Sequence, residues 1–114
     1  MARNIMEEIR NEVAANKVLV YMKGNPSFPM CGFSAATVEV LRETGYPFAH
    51  VNVLEDPEKR EAIKQFSNWP TIPQVYVGGK FVGGCDIVRD LYTSGELDQI
   101  LKDAFGGEAA PAQS

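Results

Sequence analysis

The chain is poor in cysteine and histidine: its 114 residues include two cysteines, Cys31 and Cys85, and one histidine, His50. Two cysteines are too few for a disulfide framework, which indicates a protein of a reducing compartment. His50 lies in a strand-like alternating run, where a surface position is typical, although a ligand or base role stays open. The sequence therefore directs attention to the cysteines.

Long apolar runs and an excess of positive charge are also missing. No apolar stretch approaches the roughly 20 residues of a transmembrane helix, and residues 1–10 lack the apolar core of a signal peptide. The net charge of −4 disfavours nonspecific binding to nucleic acid. We therefore expect neither membrane nor nucleic acid as a partner. We also expect a cytoplasmic location, or an organellar matrix if a transit peptide has been removed.

Periodicity and turn residues predict alternating helices and strands. The expected order is α-β-α-β-α-β-β-α-α, with strands at residues 18–22, 48–53, 74–77 and 80–82. A helical crossover makes the first two strands parallel, and Gly78-Gly79 makes the last two an antiparallel hairpin. We expect one domain at residues 1–105 and a flexible tail at residues 106–114.

The segment from Lys23 to Ser34 leads from the first strand to a helix and delivers Cys31 to the start of that helix. Free backbone N–H groups and the helix dipole stabilise a thiolate there, and Lys23 adds a positive charge. Gly32 leaves room beside the sulfur for a bulky partner. The alternative is a buried structural cysteine, but the lysine, glycines and prolines of this segment favour an activated thiol.

The third residue after Cys31 is Ser34 and not a second cysteine. In Cys-x-x-Cys helices the second thiol resolves a mixed disulfide. A serine cannot do this, although it can cap the helix by accepting a backbone N–H. A lone activated thiolate suits two roles: it can hold a mixed disulfide with an external thiol, or it can ligate a soft metal centre.

Three motifs in order resemble the signature of the monothiol (CGFS-type) glutaredoxins. They are Lys23-Gly24 with Pro26, Pro29 and Cys31-Gly32-Phe33-Ser34, then Trp69-Pro70-Thr71-Ile72-Pro73-Gln74, then Gly83-Gly84-Cys85-Asp86. The resemblance covers about residues 5–105. It implies an α/β, thioredoxin-like fold with a four-stranded mixed sheet flanked by about five helices. It also implies a cis peptide bond between Ile72 and Pro73.

The same resemblance implies that the chain binds glutathione. It places the glycyl carboxylate of glutathione near Lys23 and Arg60, since a basic pair suits a carboxylate. The cysteinyl backbone would pair with Ile72 in the manner of an added strand. The γ-glutamyl end would reach the backbone at Cys85, with Asp86 meeting the amino group.

Several of these residues have simpler interpretations. The basic side chains at residues 59–64 are typical of a solvated helix face, Asp86 of a helix N-cap and Trp69 of packing. Cys85 could form a regulatory disulfide with Cys31, or it could contribute only its backbone. The neighbouring glycines favour the second interpretation.

Two functions from different classes stay open. The first is a carrier that binds and transfers a 2Fe–2S cluster. Such clusters take four thiolates, so one Cys31 and one glutathione from each chain imply a homodimer bridged by the cluster. The resemblance adds BolA-like proteins and recipient apoproteins as partners. The second is a glutathione-dependent thiol–disulfide oxidoreductase with Cys31 as catalytic nucleophile, resolved by glutathione itself. The long loop before Met30 favours the carrier.

Overall fold

The structure, a computed structural model, describes residues 3–108 and confirms the predicted order of helices and strands with two additions. One is a short hairpin between the first strand and the cysteine helix. The other is a 3-10 helix at Val53–Glu55, which follows the second predicted strand and includes its last expected residue, Val53. The elements are α1 (Ile5–Ala15), β1 (Val18–Met22), β2 (Gly24–Asn25), β3 (Phe28–Pro29), α2 (Gly32–Thr44), β4 (Ala49–Asn52), α3 (Pro57–Ser67), β5 (Gln74–Val77), β6 (Lys80–Gly83), α4 (Cys85–Ser94) and α5 (Glu96–Ala104). Residues 109–114 of the predicted tail lie outside the described residues.

The main sheet has four strands in the order β4-β1-β5-β6, as the expected mixed sheet requires. Strand β1 runs parallel to β4 and antiparallel to β5, and β5 pairs with β6 through the Gly78-Gly79 hairpin. Because Tyr21 pairs with Gln74, the carboxyl end of β1 and the amino end of β5 lie side by side at the same end of the sheet.

Helices cover both faces of the sheet, and alternate side chains of β1 pack against the helices on opposite faces. Val18, Val20 and Met22 join a core that includes α2, α4 and α5, whereas Leu19 and Tyr21 join a core with α1 and α3. This two-sided burial explains why all five residues of β1 are apolar and buried. No helix within residues 3–108 is long and apolar enough to cross a bilayer.

The ends of α2 and α3 follow the predicted capping residues. The Asp56 side chain accepts a hydrogen bond from the Lys59 N–H at 3.1 Å, and Pro57 is the first residue of α3. Gly45 ends α2 with φ +79°, the left-handed conformation that favours glycine. Local sequence therefore determines where these helices begin and end.

The spacing of apolar residues along α2 predicts a packed face that includes Phe33, and this prediction is wrong at that residue. The Phe33 side chain is 63 % exposed. The buried stripe instead includes Ser34, Val38 and Leu41. Ser34 fixes this orientation because its hydroxyl accepts the Lys23 N–H at 3.1 Å, which ties the first turn of α2 to the end of β1.

The solvated-face interpretation was also wrong at Lys59, which is only 7 % exposed. Its ammonium forms ion pairs with Glu12 and Glu8 of α1. Glu12 in turn accepts a hydrogen bond from the Tyr21 hydroxyl at 2.7 Å. A buried charge is costly unless it is paired and hydrogen-bonded, and these pairs join α1 to α3. The other basic residues of α3, Arg60 and Lys64, stay partly exposed.

Candidate functional site

A closed β-hairpin, formed by β2 and β3, leads the chain from β1 to Cys31. Asn25 closes its turn because its side-chain oxygen accepts hydrogen bonds from the N–H groups of Ser27 and Phe28, both at 2.9 Å. Gly24 has φ +88°, and a Cβ there would lie 2.5 Å from the Phe28 carbonyl oxygen. Only glycine fits at this position.

Two long-range hydrogen bonds fix the hairpin to the rest of the fold. The Arg42 guanidinium of α2 donates to the Pro26 carbonyl at 2.9 Å. The side-chain oxygen of Asn52, at the end of β4, accepts the Gly24 N–H at 3.0 Å. The segment that we expected to be a stiff loop is thus an anchored structural element that sets the approach to the thiol.

Cys31 is the N-cap of α2, in extended conformation, with a partly exposed side chain. The backbone N–H of Ser34 has the largest effect and lowers the pKa of the Cys31 thiol below its usual value. The backbone N–H of Phe33 and the charge of Lys23 lower this pKa further, while partial burial opposes them. The helix start therefore favours a thiolate, as the sequence predicts.

Ser34 does not cap the helix, contrary to the sequence expectation. The N-cap residue is Cys31, and the N–H groups of Phe33 and Ser34 act on its sulfur. The Ser34 side chain is fully buried; its hydroxyl accepts the Lys23 N–H and also lowers the pKa of Cys31 by hydrogen bonding to the sulfur. The serine thus joins Lys23 to Cys31 across the end of β1.

Replacing Lys23 by alanine should raise the pKa of Cys31 only slightly. The backbone N–H groups of Ser34 and Phe33 outweigh the Lys23 charge and stay in place in the variant. Ultraviolet titration of the thiolate, in a Cys85→Ser background so that a single thiol titrates, measures the change. Lys80→Ala, on an exposed hairpin, is the matched control, and a Lys23→Ala titration identical to it would contradict the prediction.

A cavity of about 410 Å³ opens next to this thiol. Its lining comes from the end of β1 and the start of α2 (Lys23 and Phe33), from α3 (Arg60 and Lys64), and from residues 69–73 and 84–87. Cys31 is not part of the lining, but the cavity reaches Phe33, whose N–H bonds the sulfur, and Lys23, whose charge acts on it. The cavity and the thiol therefore form one candidate site.

The five residues that the resemblance assigned to glutathione all line this cavity: Lys23, Arg60, Ile72, Cys85 and Asp86. Four separate parts of the chain bring them together. The Ile72–Pro73 peptide bond is cis, as the resemblance implied. Their position is thus established, while their role as ligands stays a prediction.

Two basic side chains that line the cavity are left without a counter-ion. Among the described residues, neither the Lys23 ammonium nor the Arg60 guanidinium forms a salt bridge, although the protein is acidic overall. Lys64 also lines the cavity and pairs with Glu61 at 3.2 Å. Unpaired basic side chains on a concave surface favour an anionic ligand.

The start of α4 also lines the cavity. Gly84 is its N-cap, and no side chain of residues 3–108 caps it. The expectation that Asp86 is the N-cap was therefore wrong, because the helix begins two residues earlier and Asp86 falls in its first turn, largely exposed. The free N–H groups at this helix start suit a carboxylate.

Cys85, the first residue of α4, is buried and only 8 % exposed. Its sulfur lies 3.5 Å from the Arg89 guanidinium nitrogen. Both cysteines are free thiols in this structure. Cys31 is therefore the more accessible of the two sulfurs.

Within residues 3–108, no three or more His, Cys, Asp or Glu side chains come together as a metal site. His50 is exposed on β4, in agreement with the surface position that we expected.

The family model for glutaredoxin matches residues 18–82, more than half of the chain. A relative from Rickettsia typhi, named "Probable monothiol glutaredoxin 2", is 48 % identical over 103 residues, which cover 90 % of this chain and 93 % of the relative. The chain belongs to the glutaredoxin family, in its monothiol form.

Solved structures show the same fold. The solution structure of reduced poplar apo GrxS14 has a TM-score of 0.78 and 42 % identity, and the match covers 88 % of this chain and 92 % of that one. A buckwheat glutaredoxin–glutathione complex has a TM-score of 0.80 with 22 % identity, covering 95 % and 93 % of the two chains. The thioredoxin-like glutaredoxin fold inferred from the motifs is thus confirmed.

Sequence reasoning missed two residues of this glutaredoxin site. Lys64 follows Arg60 by four positions, so both lie on one face of α3, a spacing that the sequence already contained. Trp69 packs against Phe81 with ring centroids 5.6 Å apart, as expected, but it also lines the cavity. Its indole N–H is buried without a hydrogen-bond partner among the described residues, beside Gly84.

Proposed function

We propose that this glutaredoxin binds glutathione in the cavity and, through Cys31 and the thiolate of glutathione, holds and transfers a 2Fe–2S cluster. The observation that carries the proposal is a lone activated thiolate at a helix start, directly next to a cavity with unpaired basic side chains. The thiolate supplies a ligand for iron, and the cavity supplies a place for a second, external thiol.

The chemistry of the cavity matches that of glutathione, which carries two carboxylates, an amino group and a peptide backbone. Lys23 and Arg60 suit the glycyl carboxylate, and Arg60 can bind it with two hydrogen bonds. The Ile72 backbone suits the cysteinyl part. The uncapped N–H groups of α4 suit the γ-glutamyl carboxylate, with the exposed Asp86 for the amino group. The glutathione complex of the buckwheat protein, which shares the fold, supports this assignment.

The cluster is the cargo of this proposal. Iron–sulfur clusters take four thiolates, and each chain offers one accessible thiol, Cys31, since Cys85 is buried. Two chains and two glutathiones complete the set as a homodimer bridged by the cluster. Because half of the ligands are exchangeable small molecules, the cluster can pass to apoproteins or to a mixed assembly with a BolA-like protein. We place this activity in the cytoplasm or an organellar matrix.

Anaerobic reconstitution with iron and sulfide tests the proposal. Visible absorbance of a 2Fe–2S cluster should develop with glutathione and should not develop with S-methylglutathione, which keeps every group that the cavity recognises but has no free thiol. Equal absorbance with both tripeptides would contradict the shared-ligand arrangement. Failure of both tripeptides to bind, measured by calorimetry, would contradict the ligand assignment itself.

Replacing Arg60 by alanine should weaken glutathione binding by about 1–3 kcal/mol, because a hydrogen bond between charged groups is lost. Lys64→Ala should cost less, since Lys64 already pairs with Glu61. Calorimetry in a Cys31→Ser background, where no mixed disulfide forms, gives the affinities. Lys102→Ala, an exposed lysine outside the cavity, is the control. Equal affinity of the Arg60→Ala and Lys102→Ala proteins would refute the carboxylate assignment.

The partly exposed Cys31 thiolate also favours a second function, glutathione-dependent thiol–disulfide exchange. We rank it behind the carrier because the position of a resolving thiol is taken by Ser34, which is fully buried and holds the Lys23 backbone. The anchored hairpin before Cys31 further restricts the approach of a disulfide.

Turnover in a glutathione-coupled assay with a small disulfide should therefore be slow beside a dithiol glutaredoxin assayed in parallel. Introducing cysteine by Ser34→Cys should not restore fast turnover, since the new side chain would be buried at the end of β1. Turnover equal to that of the dithiol enzyme would reverse the ranking of the two functions.

A further inference from the structure

A buried amide lies behind the cavity, in a part of the molecule that the proposed function does not use. Gln74, the first residue of β5, is fully buried on the sheet face covered by α1 and α3. We propose that Gln74 is a positioning residue that holds residues 69–73 in the conformation that presents the Ile72 backbone to the ligand. The identity of that ligand, glutathione, rests on the proposed function.

The Gln74 side-chain amide forms three hydrogen bonds, two to residues 69–73 and one to Tyr76. Its amide nitrogen donates to the carbonyl oxygens of Trp69 and Thr71, both at 3.1 Å. Its amide oxygen accepts a hydrogen bond from the Tyr76 hydroxyl at 3.0 Å. The reverse orientation of the amide would set its oxygen against two carbonyl oxygens, so the network fixes one orientation.

Besides Gln74, the segment is held by packing of Ile72 in the core and of Trp69 on Phe81, but by few hydrogen bonds. Within the part of the chain that the structure describes, residues 70–72 form no backbone–backbone hydrogen bond. Pro70 and Pro73 lack an N–H group altogether. The Trp69 N–H is bonded to the Lys64 carbonyl at 3.1 Å, which fixes where the segment begins. Gln74 is therefore the anchor between that point and the start of β5.

In residues 69–73, some backbone groups are hydrogen-bonded to Gln74 and others are free to bind a ligand. The carbonyls of Trp69 and Thr71 are used by Gln74, whereas the backbone of Ile72 is left free to pair with a peptide at the cavity. A free strand edge binds a peptide well only if it is ordered in advance, because ordering on binding costs conformational entropy. Gln74 supplies that order from the core.

The test uses Gln74→Met, which keeps side-chain length and removes the donors. Tyr21→Phe is the matched control, because it removes a hydrogen bond of a side chain in the same core, and that bond does not involve residues 69–73. In a Cys31→Ser background, Gln74→Met should weaken glutathione binding about tenfold, equivalent to about 1.4 kcal/mol. The Tyr21→Phe protein should bind as the parent does. Both variants should titrate Cys31 normally when that residue is restored.

Backbone order parameters from nuclear magnetic resonance separate positioning from ligand identity. The order parameters of the Thr71 and Ile72 amides should be about 0.85 in the free parent, which indicates a rigid backbone. They should fall towards about 0.6 in the Gln74→Met protein. Gln74→Asn, whose amide ends one methylene short, should give the same result and provides the test if Gln74→Met does not fold.

Flexible amides in the parent, or unchanged order and affinity in the variants, would overturn the positioning role. Equal weakening by Tyr21→Phe would also overturn it, because the effect would then be general destabilisation. The parent protein could also have rigid Thr71 and Ile72 amides that become flexible in the variants, and yet bind no glutathione. That result would support the positioning role of Gln74 and overturn glutathione as the ligand.

Discussion

Replacing Cys31 by serine should abolish assembly of the 2Fe–2S cluster, whereas replacing Cys85 by serine should leave assembly largely intact. Cys31 is partly exposed, and the N–H groups at the start of α2 stabilise its thiolate, the form that ligates iron. Cys85 is 8 % exposed and packed at the start of α4. Each variant keeps one of the two thiols, so the two proteins have the same number of thiols and differ only in where the remaining thiol lies.

The measurement combines visible absorbance with size-exclusion chromatography after anaerobic reconstitution with glutathione. Apparent mass should double as the cluster absorbance appears and halve as it is lost, because one thiolate per chain cannot complete a four-thiolate shell. Wild-type and Cys85→Ser proteins should behave alike. A coloured Cys31→Ser protein, or a coloured monomer, would overturn the carrier function and leave thiol–disulfide exchange as the better proposal.

Removal of free glutathione from the coloured dimer provides an independent check of the ligand set. If the external thiolates belong to glutathione held by noncovalent contacts at the cavity, as proposed, dilution or gel filtration without glutathione should bleach the protein, unless another thiol replaces glutathione. Addition of S-methylglutathione should speed the loss, since it competes for the cavity without supplying a thiolate. A cluster that survives both treatments would require ligands other than glutathione.

Much of the fold was predictable because its signals are local and periodic. Strand β1 reads as a buried strand from five successive apolar residues, and the start of α3 from Asp56-Pro57. The Gly78-Gly79 turn determines the last hairpin. Each of these signals lies within a few residues of the element that it specifies, so no tertiary contact is needed to interpret it.

The hairpin before Cys31 was not predictable in the same way. Each of its strands has two residues, too short for any periodic pattern. Its anchors, Asn52 and Arg42, lie 28 and 16 positions from the residues that they bind. Ser34 shows the same limit, because a tertiary hydrogen bond from Lys23 replaced the local capping role that its position suggested.

The candidate site was predictable in part. The family resemblance assigned five residues to the ligand, and the fold brings all five to one cavity. Helix geometry accounts for the thiolate at Cys31. Which basic residues of α3 form ion pairs was not predictable. Lys59 pairs with Glu12 of α1, and this pairing depends on how two helices that are distant in sequence pack together. That packing leaves Arg60 and Lys64 to line the cavity.

Gly24→Ala should be far more damaging than Gly79→Ala, although both glycines have nearly the same positive φ, +88° and +82°. An alanine in this conformation costs roughly 1–2 kcal/mol by itself, and Gly79→Ala should lose only that, since nothing lies within 4 Å of its added Cβ. At Gly24 the Cβ would approach the Phe28 carbonyl oxygen to 2.5 Å and the Met30 nitrogen to 2.7 Å. These are backbone atoms, so the hairpin must move.

We therefore expect Gly24→Ala to lower the free energy of unfolding by more than about 3 kcal/mol, the sum of conformational strain and steric displacement. Urea unfolding of both variants measures this difference. The displaced hairpin should also disturb Cys31, because the Met30 N–H bonds the Lys23 carbonyl at 2.9 Å immediately before the thiol. Cluster assembly should then fail in Gly24→Ala protein that is still folded, and persist in Gly79→Ala. Equal stability and equal cluster content in the two variants would show that the hairpin does not position the thiol.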